Sequence, residues 1–342
     1  MAAYFDALCA EIRDKGRRYG DRLVTSVYIG GGTPSIAHAY FPKLKDAVFS
    51  SFRVAKEAEI SVECNPESVS DEFVSAAKDF GVNRVSLGVQ SLSDRLLHRI
   101  GRAHDRAMAV RALDVLAHAF PRVNADVMVG LPGQEQYDVE ETVSTLLDYD
   151  LSHISCYSLI LEKGTRLYRE ARRGIFSVDD DQAVDLYDLV CDKVSEAGYR
   201  RYEISNFAKE GQECRYNLSV WQYAEYLGLG LGASSFIKGE KADVFARRYR
   251  NTRDISGYLS GRRSMVSRIS ADEAKKEYVM LGLRLAEGLS LANFRMLFGS
   301  DFLSEFADKL SSLSPYLCIS SDSVSILPQF FYVSNTIISE II

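Results

Sequence analysis

Val24-Thr25-Ser26-Val27-Tyr28-Ile29 runs straight into Gly30-Gly31-Gly32-Thr33-Pro34. The first six residues read as a buried strand. The three glycines that follow carry no Cβ, so backbone there can come close to a ligand. Thr33 adds a hydroxyl, and Pro34 fixes the direction in which the chain leaves the loop. A tight strand-to-helix turn accounts for one glycine easily and for three poorly. In α/β sheets and barrels, ligand sites lie at the C-terminal ends of strands. The stretch therefore predicts a ligand-cradling loop on an α/β fold.

The same alternation extends along the chain. A helix over 3–18 places Phe5, Leu8, Cys9 and Ile12 on one face. Strands are expected at 58–63, 84–89, 122–129, 153–160 and 199–204. Helices are expected at 38–51, 70–80, twice within 93–119, at 138–149 and near 179–197. Strands separated by helices signal βαβ units and a parallel sheet with right-handed crossovers. Residues 1–205 thus read as a partial barrel of the α/β class. Residues 206–262 read as a connecting region, rich in Tyr and Gly to 236 and basic and loop-like over 240–262, with the one tryptophan, Trp221. Residues 263–342 read as a small α+β module. It has a helix over 271–286, the segment Leu289–Arg295, a helix near 301–311 and a hairpin near 316–328. That order is winged-helix-like. No basic recognition helix is present in it, which favours a packing lid or partner surface over DNA binding.

Composition narrows the function classes. The 342 residues are 46% hydrophobic and 26% charged, which suits a soluble globular protein. A formal net charge of −6 argues against nucleic-acid binding and offers no polybasic membrane anchor. No apolar run approaches the ~20 residues of a membrane span, and the first residues read as an amphipathic helix rather than a signal peptide. A cytoplasmic location follows as the expectation. The six cysteines (Cys9, Cys64, Cys156, Cys191, Cys214 and Cys318) stand singly, with no C-x-x-C spacing. That speaks against a zinc site and a disulfide framework.

Several expected strands end in a polar residue. Glu63 ends one and is followed by Cys64-Asn65-Pro66; Gln90 ends the next; Asp126 lies on another, which leads into Gly130-Leu131-Pro132-Gly133-Gln134. A carboxylate at a strand end can accept both hydroxyls of a ribose diol. Gln90 and Asp126 are placed to orient other polar parts of the same ligand. Arg102 can pair with a ligand carboxylate in fork geometry. Each has a duller reading: Glu63 as a turn cap, Asp126 as a satisfied interior carboxylate, Arg102 as a solvated helix end. Four polar residues and two glycine loops on one expected face favour a ligand site.

The ordered set Tyr28-Ile29-Gly30-Gly31-Gly32-Thr33-Pro34-Ser35, Val62–Pro66, Gly88-Val89-Gln90-Ser91, Ile100-Gly101-Arg102-Ala103-His104 and Asn124–Gln134 resembles the radical S-adenosylmethionine (SAM) superfamily. Within it the chain is similar to the group related to oxygen-independent coproporphyrinogen III oxidase, and more closely to its haem-chaperone branch. The resemblance extends through Tyr202–Ala208 and the C-terminal module. It implies a partial (β/α)6-type radical SAM barrel with its first strand absent from this chain, and a C-terminal module of the coproporphyrinogen-oxidase type. SAM contacts are implied at Gly31, Gly32, Thr33, Glu63, Gln90, Arg102 and Asp126. Haem and a haem-accepting protein are the implied partners.

Two departures from the family pattern bear on function. The family places a strand and a C-x-x-x-C-x-x-C loop ahead of the helix that here spans 3–18. Its three thiolates hold a [4Fe–4S] cluster whose fourth iron chelates SAM. None of the six cysteines here has that spacing, so the chain as written is not expected to perform radical chemistry. The expectation is a longer protein beginning upstream, with a naturally cluster-less protein as the alternative. The missing strand is also expected to leave a sheet edge open. Secondly, where the haem-chaperone branch carries H-N-x-x-Y-W, this chain reads Tyr216-Asn217-Leu218-Ser219-Val220-Trp221. Ser234, in the glycine track 228–235, stands where many relatives have histidine. A haem iron would then need an oxygen or sulfur ligand, with Tyr216 and Cys214 as candidates; the alternative is that both are packing residues. Three functions stay open at this point: a haem chaperone that binds SAM and haem, an oxidative decarboxylase of a tetrapyrrole, and a non-catalytic SAM-binding or interaction protein.

Overall fold

The structure is a computed structural model that describes residues 1–177, 179–239, 244–262 and 265–342. Two compact units interleave along the chain. One holds Thr25–Pro42 and Lys56–Glu213; the other holds Met1–Val24, Lys43–Ala55 and Cys214–Ile342.

A curled half-barrel sheet dominates the first unit. Its strands are β1 (Leu23–Ile29), β2 (Arg53–Cys64), β3 (Arg84–Gln90), β4 (Val123–Val129), β5 (His153–Ser158), β6 (Arg200–Arg201) and β7 (Asn206–Ala208), in the order β1-β2-β3-β4-β5-β7-β6. β2 to β5 pair in parallel, and β7 adds antiparallel to β5. β1 stands at one edge of this sheet. The helices between strands begin on side-chain caps. Ser70, Asp105 and Asp179 accept the N–H of Phe73, Met108 and Gln182, respectively. Helix Asp71–Phe80 stops at Gly81, whose φ of 99° suits a residue without a Cβ. Asn83 then takes the place of backbone in the ladder. Its Oδ1 accepts from Ile60 N at 2.9 Å and its Nδ2 donates to Ala58 O at 2.9 Å, which sets β3 against β2.

Period-two alternation sorts the strand residues onto two faces. Val85, Leu87, Val123, Ala125, Val127 and Val129 are buried. The other face carries a polar ladder in register: Glu63 beside Ser86, Ser86 beside Asn124, Asn124 beside His153, and Asp126 beside Ser155. The strand expected over 199–204 is shorter than the sequence suggests. Tyr202 N donates to Asn206 O, and Ser205 N donates to the Glu203 carboxylate. The chain therefore turns after Arg201 and returns as β7.

The second unit holds helix Ala2–Tyr19 and two small antiparallel sheets. β8 (Ser234–Lys238), β9 (Ala246–Arg250) and β10 (Met265–Ile269) pair in the order β10-β9-β8. The loop expected over 240–262 is thus interrupted by a strand and by helix Ile255–Leu259, capped by Asp254; residues 240–243 of that expectation lie outside the described residues. In the C-terminal module, β11 (Leu289–Ser290), β12 (Leu317–Ile319) and β13 (Ser323–Ile326) form a sheet in the order β11-β13-β12. Helices Ala271–Gly282, Leu291–Phe298 and Ser334–Ile341 contribute to its apolar core. The last of these helices is absent from the sequence reading. Phe294, fully buried, contacts the rings of Tyr278, Phe298, Phe302 and Phe306 at centroid distances of 4.9–6.3 Å.

Candidate functional site

The C-terminal ends of β1 to β3, the middle of β4 and the segment after helix Asp94–Ile100 bring Thr33, Glu63, Gln90, Asp126 and Arg102 into one polar constellation, linked by two residues that sequence reasoning missed. Glu63 is held at both oxygens: Tyr28 Oη donates to Oε1 at 2.9 Å, and the Gly31 N–H donates to Oε2 at 2.9 Å. Asn65 bridges the next pair. Its Nδ2 donates to Thr33 Oγ1 at 3.0 Å, and its Oδ1 accepts from Arg102 Nη1 at 3.3 Å. Tyr28 and Asn65 both lie inside the motifs that carry the resemblance, so a signal for each is present. Their partners depend on strand register, which no local pattern encodes.

Glycine enters where the backbone needs it. A Cβ on Gly88 would lie 2.9 Å from Asn65 Oδ1 and 3.0 Å from Gln90 Nε2, so this position lets the side chains around it close up. Gly31 and Gly32 have φ of 90° and 71° and nothing within 4 Å of a Cβ position. Their space is open, whereas that of Gly88 is filled. Gln90 also adopts a positive φ of 66° at the point where the β3–β4 register shifts. A buried non-glycine residue in this conformation is strained, and such residues cluster at ligand sites.

Charge is concentrated here too. Burial pushes the Asp126 carboxyl up to about 6; hydrogen bonds from Asn124 and Ser155 oppose that rise, nearby Glu63 adds to it, and Arg102 opposes it. Burial lowers the Arg102 guanidinium from its ordinary value, against the pull of Glu67 and Asp126. His104 of the same motif is buried, with Nε2 3.2 Å from Val89 O and Nδ1 3.3 Å from Glu67 Oε2. The second glycine loop is braced from within. Gln134 folds back on its own loop, accepting from Leu131 N and donating to Met128 O, so it shapes the turn.

The two haem-ligand candidates belong to the other compact unit. Cys214 is buried at the start of helix Arg215–Trp221, and Tyr216 lies in its first turn, partly buried. In the glycine track, Glu11 accepts from Gly230 N at 2.9 Å, from Asn251 Nδ2 at 2.7 Å and from Tyr258 Oη at 2.7 Å. Ser234 sits on β8, opposite Arg250.

The cofactors implied by the family fare unequally against these residues. A SAM-type nucleoside suits the rim, which offers open space over Gly31 and Gly32 beside a pinned carboxylate, an amide and a guanidinium. A [4Fe–4S] cluster does not suit the described residues: no three His, Cys, Asp or Glu side chains among them group to hold a metal ion. Among the described residues, no helix is long and apolar enough to cross a membrane.

A curled parallel half-barrel with this rim is the fold of the radical SAM superfamily, whose family model matches residues 5–146. The HemN C-terminal domain model matches residues 269–317. The heme chaperone HemW of Mycobacterium tuberculosis is 36% identical over 295 residues, covering 84% of this chain and 74% of that protein. HemW of Lactococcus lactis is 32% identical over 318 residues, covering 91% and 81%. The chain belongs to the HemW family of heme chaperones. Among solved structures, the Escherichia coli coproporphyrinogen III oxidase HemN, a radical SAM enzyme, matches with a TM-score of 0.81. That match covers 99% of this chain and 82% of HemN at 20% identity, a likeness of fold.

Proposed function

We propose that this chain binds SAM at the rim of its half-barrel and carries haem to an acceptor protein. The observation that carries the SAM half is the Glu63 carboxylate, fixed at both oxygens by Tyr28 and Gly31 at a strand end. A carboxylate so held is pre-oriented, and its remaining lone pairs accept from a vicinal diol without reorganisation. In this reading Glu63 takes the ribose, and Gly31, Gly32 and Thr33 line the nucleoside with backbone and a hydroxyl. Arg102, braced by Asn65, takes the ligand carboxylate, and Gln90 and Asp126 orient the remaining polar groups. SAM, when bound, supplies an activated sulfonium, and the residues here bind and orient it. Residues 1–205 serve as the SAM barrel, 206–262 as the connecting region and 263–342 as the C-terminal module.

The haem half rests on the kinship with proteins named heme chaperones. Tyr216 or Cys214 is the proposed iron ligand, since tyrosinate and thiolate both ligate haem iron. The acceptor is a protein that takes up haem.

Titration of the purified chain with SAM tests the first half. Glu63→Gln, which keeps the shape and removes the charge, is expected to weaken binding about 10- to 100-fold, the range of a charge-assisted hydrogen bond of ~1.5–3 kcal/mol. Equal affinity in the two proteins overturns the assignment. Haem titration followed by Soret absorption tests the second half. A shifted band is expected with the unaltered chain, and it should be lost in Tyr216→Phe or in Cys214→Ser. No shift with the unaltered chain removes the haem role, and a shift that survives both substitutions removes both ligand assignments.

A further inference from the structure

Beneath the rim, a chain of polar side chains runs across the inner face of the half-barrel. Tyr202 Oη lies 2.9 Å from His153 Nε2, and His153 Nδ1 lies 2.6 Å from Asn124 Oδ1. Asn124 Nδ2 donates to Asp126 Oδ1 at 2.7 Å and to Ser86 Oγ at 2.8 Å. Ser155 Oγ donates to Asn124 Oδ1 at 3.1 Å. His153 is 1% exposed and Asn124 is 3% exposed, so water does not compete for these bonds.

The chemistry fixes the direction of every bond. Asp126, when ionised, only accepts, so the Asn124 amide must present its NH2 there. Its Oδ1 then faces His153 and requires a proton on Nδ1. Burial drives His153 well below its ordinary value, with Arg84 adding to the effect, so the ring is neutral. A neutral ring protonated at Nδ1 accepts at Nε2, where the Tyr202 hydroxyl donates. Tyr202, His153 and Asn124 thus each have one allowed orientation, and that orientation passes from Tyr202 to Asp126.

We propose that Tyr202, His153 and Asn124 are positioning residues that act as a directional relay, holding Asp126 as a fixed, charged acceptor in the nucleoside site. The inference rests on the SAM reading for its purpose and on these hydrogen bonds alone for its existence. The groups facing Asp126 are Glu63, Cys64 and Arg102 together with Asn124, Ser86 and Ser155. Glu63 and burial favour the protonated acid; Arg102 and the Asn124 amide favour the carboxylate. The relay keeps the amide on the correct side of that balance. Without the His153 Nδ1 donor, Ser155 Oγ alone still donates to Asn124 Oδ1, and the amide is held less firmly against the carboxylate.

Two readouts separate this inference from the reading beneath it. In the ligand-free full chain, the Asp126 carboxyl is titrated by 13C NMR. The midpoint is expected near 6. Asn124→Leu and His153→Phe should each raise it by about 1 pH unit, the scale of a lost hydrogen bond to a charged group. Tyr202→Phe, a hydroxyl removed at the far end, should raise it by less, and His153→Gln, which can still donate to Asn124, should restore it. SAM affinity measured against pH should fall as pH drops through the same midpoint, because the proton removes the acceptor. In the variants that fall should begin at higher pH. Unmoved NMR midpoints in both His153→Phe and Tyr202→Phe overturn the relay, even if affinity declines. Should Asn124→Leu fail to fold, the His153 and Tyr202 variants decide alone. A shifted midpoint in a chain that binds no SAM at any pH keeps the relay and sinks the SAM reading.

Discussion

The strand-end rim and the C-terminal module solve opposite problems. In the module, Phe294, Phe302, Val324 and Ile341 are buried in an apolar cluster whose aromatic rings meet edge to face, tilted or stacked. The worth of those contacts is chiefly the area removed from water, to which the ring geometry adds a smaller amount. At the rim, Glu63, Asn65 and Arg102 meet through directed hydrogen bonds, beside glycines whose Cβ positions face empty space. A carboxylate with a midpoint raised to about 6, a strained Gln90 and open volume add nothing to stability. One region has the properties of a core and the other those of a site, although both come from residues that alternate along strands and helices in the ordinary way.

The largest expected effect breaks the core. Phe294→Ala should cost about 3–5 kcal/mol in urea unfolding, the range for truncating a buried aromatic residue. SAM affinity of the remaining folded protein should stay within about twofold, since the rim residues belong to the other compact unit. A cost below about 1 kcal/mol, or a large change in affinity, would show that the two regions are less distinct than their chemistry implies.

How far each region was legible in the sequence follows the same division. Glu63, Gln90 and Asp126 stand out because a polar residue on or at the end of an apolar strand has few structural reasons to be there; Arg102, just past the helix Asp94–Ile100, stands out only through its motif. Tyr28, Asn65 and the His153–Asn124 pair do not stand out. Their meaning depends on which residue lies opposite in the next strand, and register is a property of the folded sheet. The order of βαβ units was legible from period and length alone. β9 was not, because Ala246-Arg247-Arg248-Tyr249-Arg250 carries too much charge to look like a strand. One of its three arginines is accounted for only in three dimensions, where Arg248 reaches both oxygens of Glu277 at 2.9 and 3.0 Å. The terminal helix was missed for a related reason: Ile337, Ile338 and Ile341 are compatible with strand or helix until packing decides.

The smallest expected effect sharpens the difference between filled and open space within the rim itself. A Cβ on Gly30 would fall 2.7 Å from the Tyr28 ring and 2.8 Å from Glu63 Oε1, so both side chains must move. A Cβ on Gly31 meets nothing within 4 Å, and the penalty there is the strain of an L-residue at φ of 90°. Gly30→Ala should therefore destabilise by about 1–3 kcal/mol, as overpacking does, and Gly31→Ala by about 1 kcal/mol. A double-mutant cycle with Glu63→Ala tells the two causes apart. Removing the carboxylate relieves part of the Gly30→Ala penalty, the remainder coming from the Tyr28 ring, and leaves the Gly31→Ala penalty as it was. Equal coupling of both glycines to Glu63 would mean that the loop moves as one body. The pinned carboxylate would then be a consequence of loop conformation, with the Gly31 N–H following Glu63 wherever it goes.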